Sequence, residues 1–263
     1  MSNLKDKTIV VTGAAMGLGF AAAIECASKG ANLALIDFNA ESLEKAKVSI
    51  SEQFPQVKLI TVVADVSEES AVKAYVEKTL ETFGRIDGFY NNAGIEGRQA
   101  PMTEYDIDVF KKVIDINLLG VYYGMRYVIP VMQKQNYGRI VNVASVGGIR
   151  GVMNQTPYVA SKHAVSGMTK NAALEYARFG ITTNAIAPGA ILTPMVAEAF
   201  VQINPKDPKS AEAEYALSNP SKRLGLPEEV GKVVAFLLSD DCSYINGQII
   251  AIDGGQSNSY GTI

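Results

Sequence analysis

The sequence predicts an α/β fold in which a parallel sheet is covered by helices on both faces. Three observations point to it. Short, β-branched, largely apolar runs alternate with amphipathic ones along the chain, and strands apolar on both sides suit a sheet buried on two faces. A glycine-rich turn joins the first such strand to the first helix. No break in composition suggests a linker, so 263 residues read as one domain.

The first strand is KTIVVT, residues 7–12, and GAAMGLG follows it with Gly13, Gly17 and Gly19. The run FAAAIECASKG continues as a helix, expected over 17–29. Glycines let a backbone approach a ligand, and a helix N-terminus offers free N–H groups and partial positive charge. Together they form a ready site for a dinucleotide pyrophosphate. The spacing is G-x-x-x-G-x-G, and a plain tight turn into a packed helix is the alternative.

The second strand, 33–37, ends on Asp37, 18 residues after Gly19. That offset suits an acid accepting hydrogen bonds from a ribose; capping the helix at 40–53 is its other reading. Further strands are expected at 58–64, 87–91, 139–144, 182–187 and 248–252, and helices at 68–83, 106–134, 157–179 and 227–238. Segment 190–225 interrupts the alternation. It carries Pro194, Pro205, Pro208 and Pro220, and the runs AEAFVQ and SAEAEYALSN suit short helices. Its position after a strand's C-terminal end suits a ligand cover, with an ordinary surface loop as the alternative.

The chain is 48% hydrophobic and 19% charged, with a formal net charge of −3 and no long basic run. That argues against nucleic-acid binding. The start, MSNLKDK, lacks the apolar core of a signal peptide, and no apolar run is long enough to span a bilayer. A cytoplasmic protein is expected. Cys26 and Cys242 form neither a disulfide framework nor a metal spacing. No metal site is expected. His163 follows Lys162 on the same helix, faces elsewhere, and reads as structural.

The strongest chemical signal lies in SVGGIRGVMNQTPYVASK, where Ser145 precedes Tyr158 and Lys162. A phenol titrates near pH 10 in water. A lysine four residues later lies one helical turn away on the same face, where its charge favours the phenolate. A serine hydroxyl nearby can hold a carbonyl or alcohol oxygen. Such a site moves a proton on or off an oxygen.

An ordered set of motifs goes further: TGAAMGLG at 12–19, Asp65 after LITVVA, NNAG at 91–94, Asn117 in DINLLG, Ser145, the Tyr158/Lys162 pair and PGAILTP at 188–194. Over nearly its whole length the chain resembles the short-chain dehydrogenase/reductase family. The resemblance implies a doubly wound (Rossmann) sheet of seven parallel strands in a single domain, an NAD cofactor and a homotetramer. Helices 106–134 and 157–179 would form one interface and segment 248–263 another.

The family's roles fall on matching positions. Tyr158 would be the general acid or base, Lys162 would lower its pKa and bond the nicotinamide ribose, and Ser145 would orient the substrate oxygen. Asn117 would anchor a water in a proton relay; a buried, backbone-satisfying Asn is the plainer reading. Gly13, Gly17 and Gly19 would line the pyrophosphate, with Met16 and Leu18 also binding cofactor; Met16 and Phe38 stand where phosphate-preferring relatives often carry Arg. Asp37 would hold the adenosine ribose and exclude a 2′-phosphate. Asp65 and Val66 would meet the adenine, and Asn92, Ala93 and Gly94 would pass close to the ribose. Pro188, Gly189, Ile191 and Thr193 would hold the nicotinamide.

For the substrate, the family geometry puts Ile95, Val146, Met153, Ile191, Met195 and Val196 near the nicotinamide, with Glu96 and Gln155 as polar contacts. Arg98 and Arg150 lie close in sequence, yet no basic residue stands out as a clamp. Runs such as RIDGFYNNAGIEG and IDGGQS most resemble a member acting on cyclic diketones. The expected substrate is a small, uncharged ketone or diketone, cyclic in form. A 3-oxoacyl carrier-protein reductase and a non-catalytic dinucleotide sensor are the competing readings.

Overall fold

Thr8–Thr12 (β1) is buried at all five positions, as a strand covered on both faces requires. In the computed structural model, which describes residues 3–259, six more strands join it: Asn32–Asp37 (β2), Leu59–Val63 (β3), Gly88–Asn91 (β4), Gly138–Val143 (β5), Ile181–Pro188 (β6) and Ile249–Ile252 (β7). All pair in parallel, in the order β3-β2-β1-β4-β5-β6-β7. The chain reverses direction across the sheet between β1 and β4. Ligands of open α/β sheets bind at such a switch point, beyond the strands' C-terminal ends.

One face is covered by Gly17–Ser28 (α1), Ala40–Gln53 (α2) and, later in the chain, Pro227–Leu237. Their apolar side chains, including Ala22, Cys26, Leu43, Ile50, Val230 and Val234, form one core with the sheet. The other face is covered by Glu69–Phe83 (α3) and by the helices that flank β5. There Tyr75, Phe89, Val128, Met132 and Val165 make a second core.

The helix expected over 106–134 runs unbroken from Ile107 to Gln135 but carries a π turn. Ile107–Ile114 (α4) runs into a π turn at Asp115–Leu119 and then into Gly120–Gln135 (α5). The π turn places Asn117, fully buried, with its amide on the backbone of Ile95. Thr156–Tyr176 (α6) follows β5, close to the expected 157–179.

Segment 190–225 contains the two short helices its composition suggests, Pro194–Ile203 (α7) and Pro208–Ser218 (α8), ahead of Pro227–Leu237 (α9). Each of α7 and α8 begins on a proline behind an oxygen cap, Thr193 and Asp207. They pack on a small cluster of Phe200, Ala211 and Leu224.

At the N-terminal end of the strands a polar network ties the sheet together. Lys7 Nζ lies 3.9 Å from the centre of the Tyr137 ring and the Arg139 guanidinium 4.4 Å from it. The Tyr137 hydroxyl donates to Asp240 at 2.8 Å, and Arg139 and Lys7 pair with the same carboxylate at 3.2 and 3.5 Å. Nearby, Asp87 accepts from the N–H of Thr8 at 2.9 Å and pairs with Arg85 at 2.6 Å. Among the described residues no helix is long and apolar enough to cross a membrane. Residues 260–263, part of the segment expected at a subunit interface, lie outside the described residues.

Candidate active site

Ser145 follows the end of β5 and caps a short turn at Val146–Gly148, its Oγ accepting from the N–H of Gly147 at 3.1 Å. The hydroxyl proton is left to point elsewhere. Tyr158 and Lys162 stand one turn apart on α6. Lys162 is buried, and Nζ donates to the carbonyl of Val143 at 2.8 Å while lying 5.5 Å from the centre of the Tyr158 ring. Burial draws Lys162 down to about 8.

Tyr158 departs from the sequence-based expectation. Burial pushes its phenol up to about 12, although part of the side chain stays open to solvent. A hydrogen bond with Ser145 pulls the other way and the charge of Glu96 adds to the rise. Lys162 is not among the groups that set the value, because its ammonium is held on the strand end and not on the phenol.

Asn117 takes both polar groups of Ile95: Oδ1 accepts from its N–H and Nδ2 donates to its carbonyl, each at 2.8 Å. Nδ2 also reaches Ser161 Oγ at 3.4 Å. The side chain satisfies the backbone of Ile95, as the plainer reading expects, while Oδ1 keeps a second lone pair. A side chain at Gly94 would meet Asn117 Oδ1 at 3.1 Å and Lys162 Nζ at 3.5 Å, which places NNAG against the proton-handling residues.

On the other side of the reversal, Gly13 has φ +63° and Gly17 φ +57°. A Cβ on Gly19 would stand 1.9 Å from the carbonyl oxygen of Gly13, so only glycine fits. Met16 precedes α1 in extended conformation and offers no side-chain cap, leaving the N–H groups near Gly17, Leu18 and Gly19 available to an anion. Asp37 is buried at the end of β2, where its carboxylate accepts from the N–H groups of Ala15 at 3.0 Å and Asn39 at 3.1 Å. Asn39, not Asp37, caps α2. The capping alternative for Asp37 is thus removed, and its remaining lone pairs suit ribose hydroxyls.

Asp65 is exposed and held by Ser67 at 2.7 Å, with Val66 buried beside Gly120. Asn92 donates to the carbonyl of Thr12 at 2.9 Å and to that of Gly13 at 3.2 Å. Gly189 donates to Ile252 at 3.0 Å, which fixes Pro188 and Gly189 at the end of β6. The Ile191 side chain lies in the core, and its main chain runs beside Gly225 in a bridge made by the neighbouring Ala190 and Leu192. Its own N–H and carbonyl take no part in that bridge. A side chain at Gly17 would meet Thr193 at 3.5 Å, so the start of α7 comes against the glycine turn. These groups fit a dinucleotide: an uncapped helix start, a cradle closed to any Cβ, and a carboxylate at the adjacent strand end.

The expected substrate residues are less uniformly gathered. Val146 is buried and Ile95 half-buried. Glu96 is hydrogen-bonded to Gln155 and, at 3.2 Å, to Gln99; burial raises its carboxyl, with the charge of Glu198 adding and the Gln99 bond opposing. Met195 is partly exposed and Val196 packs on the small cluster under α7. Met153 is 88% exposed. Thr12 was not legible as a site residue. Its Oγ1 accepts from the N–H groups of both Asn92 and Ala93, at 2.9 and 3.1 Å. A lone hydroxyl ending an apolar strand was the available signal.

A cleft of this design is that of a dinucleotide-binding oxidoreductase. A family model described as enoyl-(acyl carrier protein) reductase matches residues 13–257. With those matches and the relatives below, the chain belongs to the short-chain dehydrogenase/reductase family. Levodione reductase from Leifsonia aquatica is 51% identical over 255 residues, 97% of this chain and 96% of that protein. The crystal structure of levodione reductase matches with a TM-score of 0.97, covering 98% of this chain and 100% of that one. Cyclohexanol dehydrogenase from Acinetobacter sp. (strain SE19) is 40% identical over 262 residues, 98% of each chain. A crystal structure of NAD+-bound xylitol dehydrogenase matches with a TM-score of 0.91 at 38% identity, covering 96% and 99%.

Proposed function

We propose that this enzyme interconverts a small, uncharged, cyclic ketone or diketone and its secondary alcohol. The observation that carries the reading is that Ser145 and Lys162 stand beside Tyr158. The cofactor is NAD, which supplies the hydride in reduction and takes it up in oxidation. Asp37 favours it, because its carboxylate accepts from ribose hydroxyls and repels a 2′-phosphate.

In reduction, Ser145 holds the substrate oxygen and stabilises the charge that develops on it. Tyr158 delivers the proton to that oxygen, and in alcohol oxidation takes it away. Burial keeps the Tyr158 phenol protonated near neutral pH, the form that proton delivery in reduction requires. Lys162 keeps a positive charge beside the phenol. Asn117 fixes the loop after β4 through Ile95, and a water on the main chain of its π turn completes the proton path.

The relatives named for levodione and cyclohexanol support a cyclic substrate. So do the apolar Ile95, Val146, Met195 and Val196, with Glu96 and Gln155 as polar contacts. Segment 190–225 covers the ligand. The carrier-protein reading is less well supported, since Asp37 opposes the phosphorylated cofactor. The assembly is a homotetramer: Leu174 on α6 is 83% exposed, and Tyr122 on α5 and Ile107 on α4 are exposed apolar residues on the expected faces. A panel of cyclic ketones, α-diketones, acyl thioesters and keto acids, run with both nicotinamide cofactors, tests the assignment. Turnover of thioesters or keto acids alone overturns it.

A further inference from the structure

Gln202 lies in the last turn of α7, one turn after Glu198 on the same side of the helix. Its amide reaches across to the loop after β4. Oε1 accepts from the N–H of Gln99 at 2.9 Å, and Nε2 donates to the carbonyl of Gly97 at 3.3 Å. One side chain thus takes a donor and an acceptor of the same loop, as a paired strand would.

Asn117 uses the same device on the loop's inner side, through Ile95. At the far end, the N–H of Ala100 donates to Asn154 at 3.0 Å, and Glu96 bonds Gln155. Loop 95–100 is therefore tied to the π turn and to the stretch that leads into Tyr158. Among the described residues, every hydrogen bond between this loop and segment 190–225 is made by Gln202.

Gln202 is exposed, so water would satisfy the same loop groups if the side chain left. The fold does not need this contact to avoid an unpaired buried group. An exposed pair of hydrogen bonds is weak enough to open and close during turnover. On the same helix, Glu198 opposes the approach, because its charge acts on the Glu96 carboxyl.

We propose that Gln202 is a positioning residue that latches α7 onto loop 95–100 and so sets how long cofactor and substrate are held. The inference rests on the reading of segment 190–225 as the cover of this site.

Three measurements on the full chain test it: amide hydrogen exchange at Gln99, the stopped-flow rate of NADH release, and KM against kcat for a cyclic ketone. In Gln202→Ala, exchange at Gln99 and NADH release should both speed up, and KM should rise, on the order of five- to thirtyfold for one to two lost hydrogen bonds. The kcat should stay level or rise. In Gln202→Glu the carboxylate still accepts from Gln99 but has no proton for Gly97, and it stands among Glu198, Glu96 and Arg98. Once protonated it regains the donor. An exposed Glu titrates at about 4.3, so its KM should return toward the wild-type value as pH falls from 7 to 4, while Gln202→Ala keeps a constant ratio to wild type.

Unchanged exchange at Gln99 in Gln202→Ala overturns the latch. So does faster exchange with NADH release and KM unmoved, or a Gln202→Glu variant that does not recover at low pH. If the wild type reduces no ketone while Gln99 exchange and NADH release still respond to Gln202, the latch stands and the ketone assignment fails.

Discussion

Lys162 and Val143 meet at 2.8 Å, the ammonium donating to the last carbonyl of β5. This contact, and not one with the phenol, decides where the buried charge sits. Lys162 is drawn from 10.5 down to about 8. Below pH 8 both folded and unfolded lysine are protonated, and the cost of burying the charge is fully present. Between 8 and 10.5 the unfolded chain binds more protons, so this residue makes the fold relatively more stable as pH rises. Comparing urea unfolding of wild type and Lys162→Met between pH 8 and 10, where the Tyr158 contribution is common to both chains, should show the difference moving in favour of the wild type. The expected change is on the order of a few kcal/mol; a difference that does not vary with pH contradicts the burial argument.

Tyr158→Phe keeps the ring and removes the transferable proton. Turnover should fall by a factor on the order of 10² or more, with NAD affinity, read by fluorescence titration, within about threefold of wild type. Near-normal turnover would assign the proton step to another group.

Asp37→Ser should lower kcat/KM for NAD on the order of tenfold and narrow the preference over the phosphorylated cofactor. Because the carboxylate also holds the N–H groups of Ala15 and Asn39, the same change should cost about 1–2 kcal/mol of stability. Catalytic efficiency with both cofactors and a thermal melt read the two effects separately. A wild-type preference for the phosphorylated form would refute the role.

Gly19→Ala forces a carbon to 1.9 Å from the Gly13 carbonyl, so the glycine turn must open. Affinity for NAD should fall at least tenfold, measured by calorimetry, together with the melting temperature. A variant that binds normally would show that the turn does not cradle the pyrophosphate.

Leu174→Glu places a charge on the exposed apolar face of α6. Light scattering at micromolar concentration should show the wild type at four times the chain mass and the variant at a smaller one. A monomeric wild type removes the tetramer.

The strands were legible because their apolar runs end where the sheet ends: β2 was expected to close on Asp37 and does. The glycine turn and the Tyr158/Lys162 pair were legible because local spacing fixes them. The π turn at Asn117 was not, since local spacing does not mark it and the contact its side chain makes is with Ile95, 22 residues away in sequence. Nor was the rise of the Tyr158 phenol, which depends on burial by side chains from several elements.

The cluster of Lys7, Tyr137, Arg139 and Asp240 sits at the strand ends that carry no chemistry. Endurance and reactivity are thereby assigned to opposite poles of one sheet. Loops at the other pole can change without disturbing these contacts. An engineer seeking a longer-lived catalyst has a place to add strength without touching selectivity.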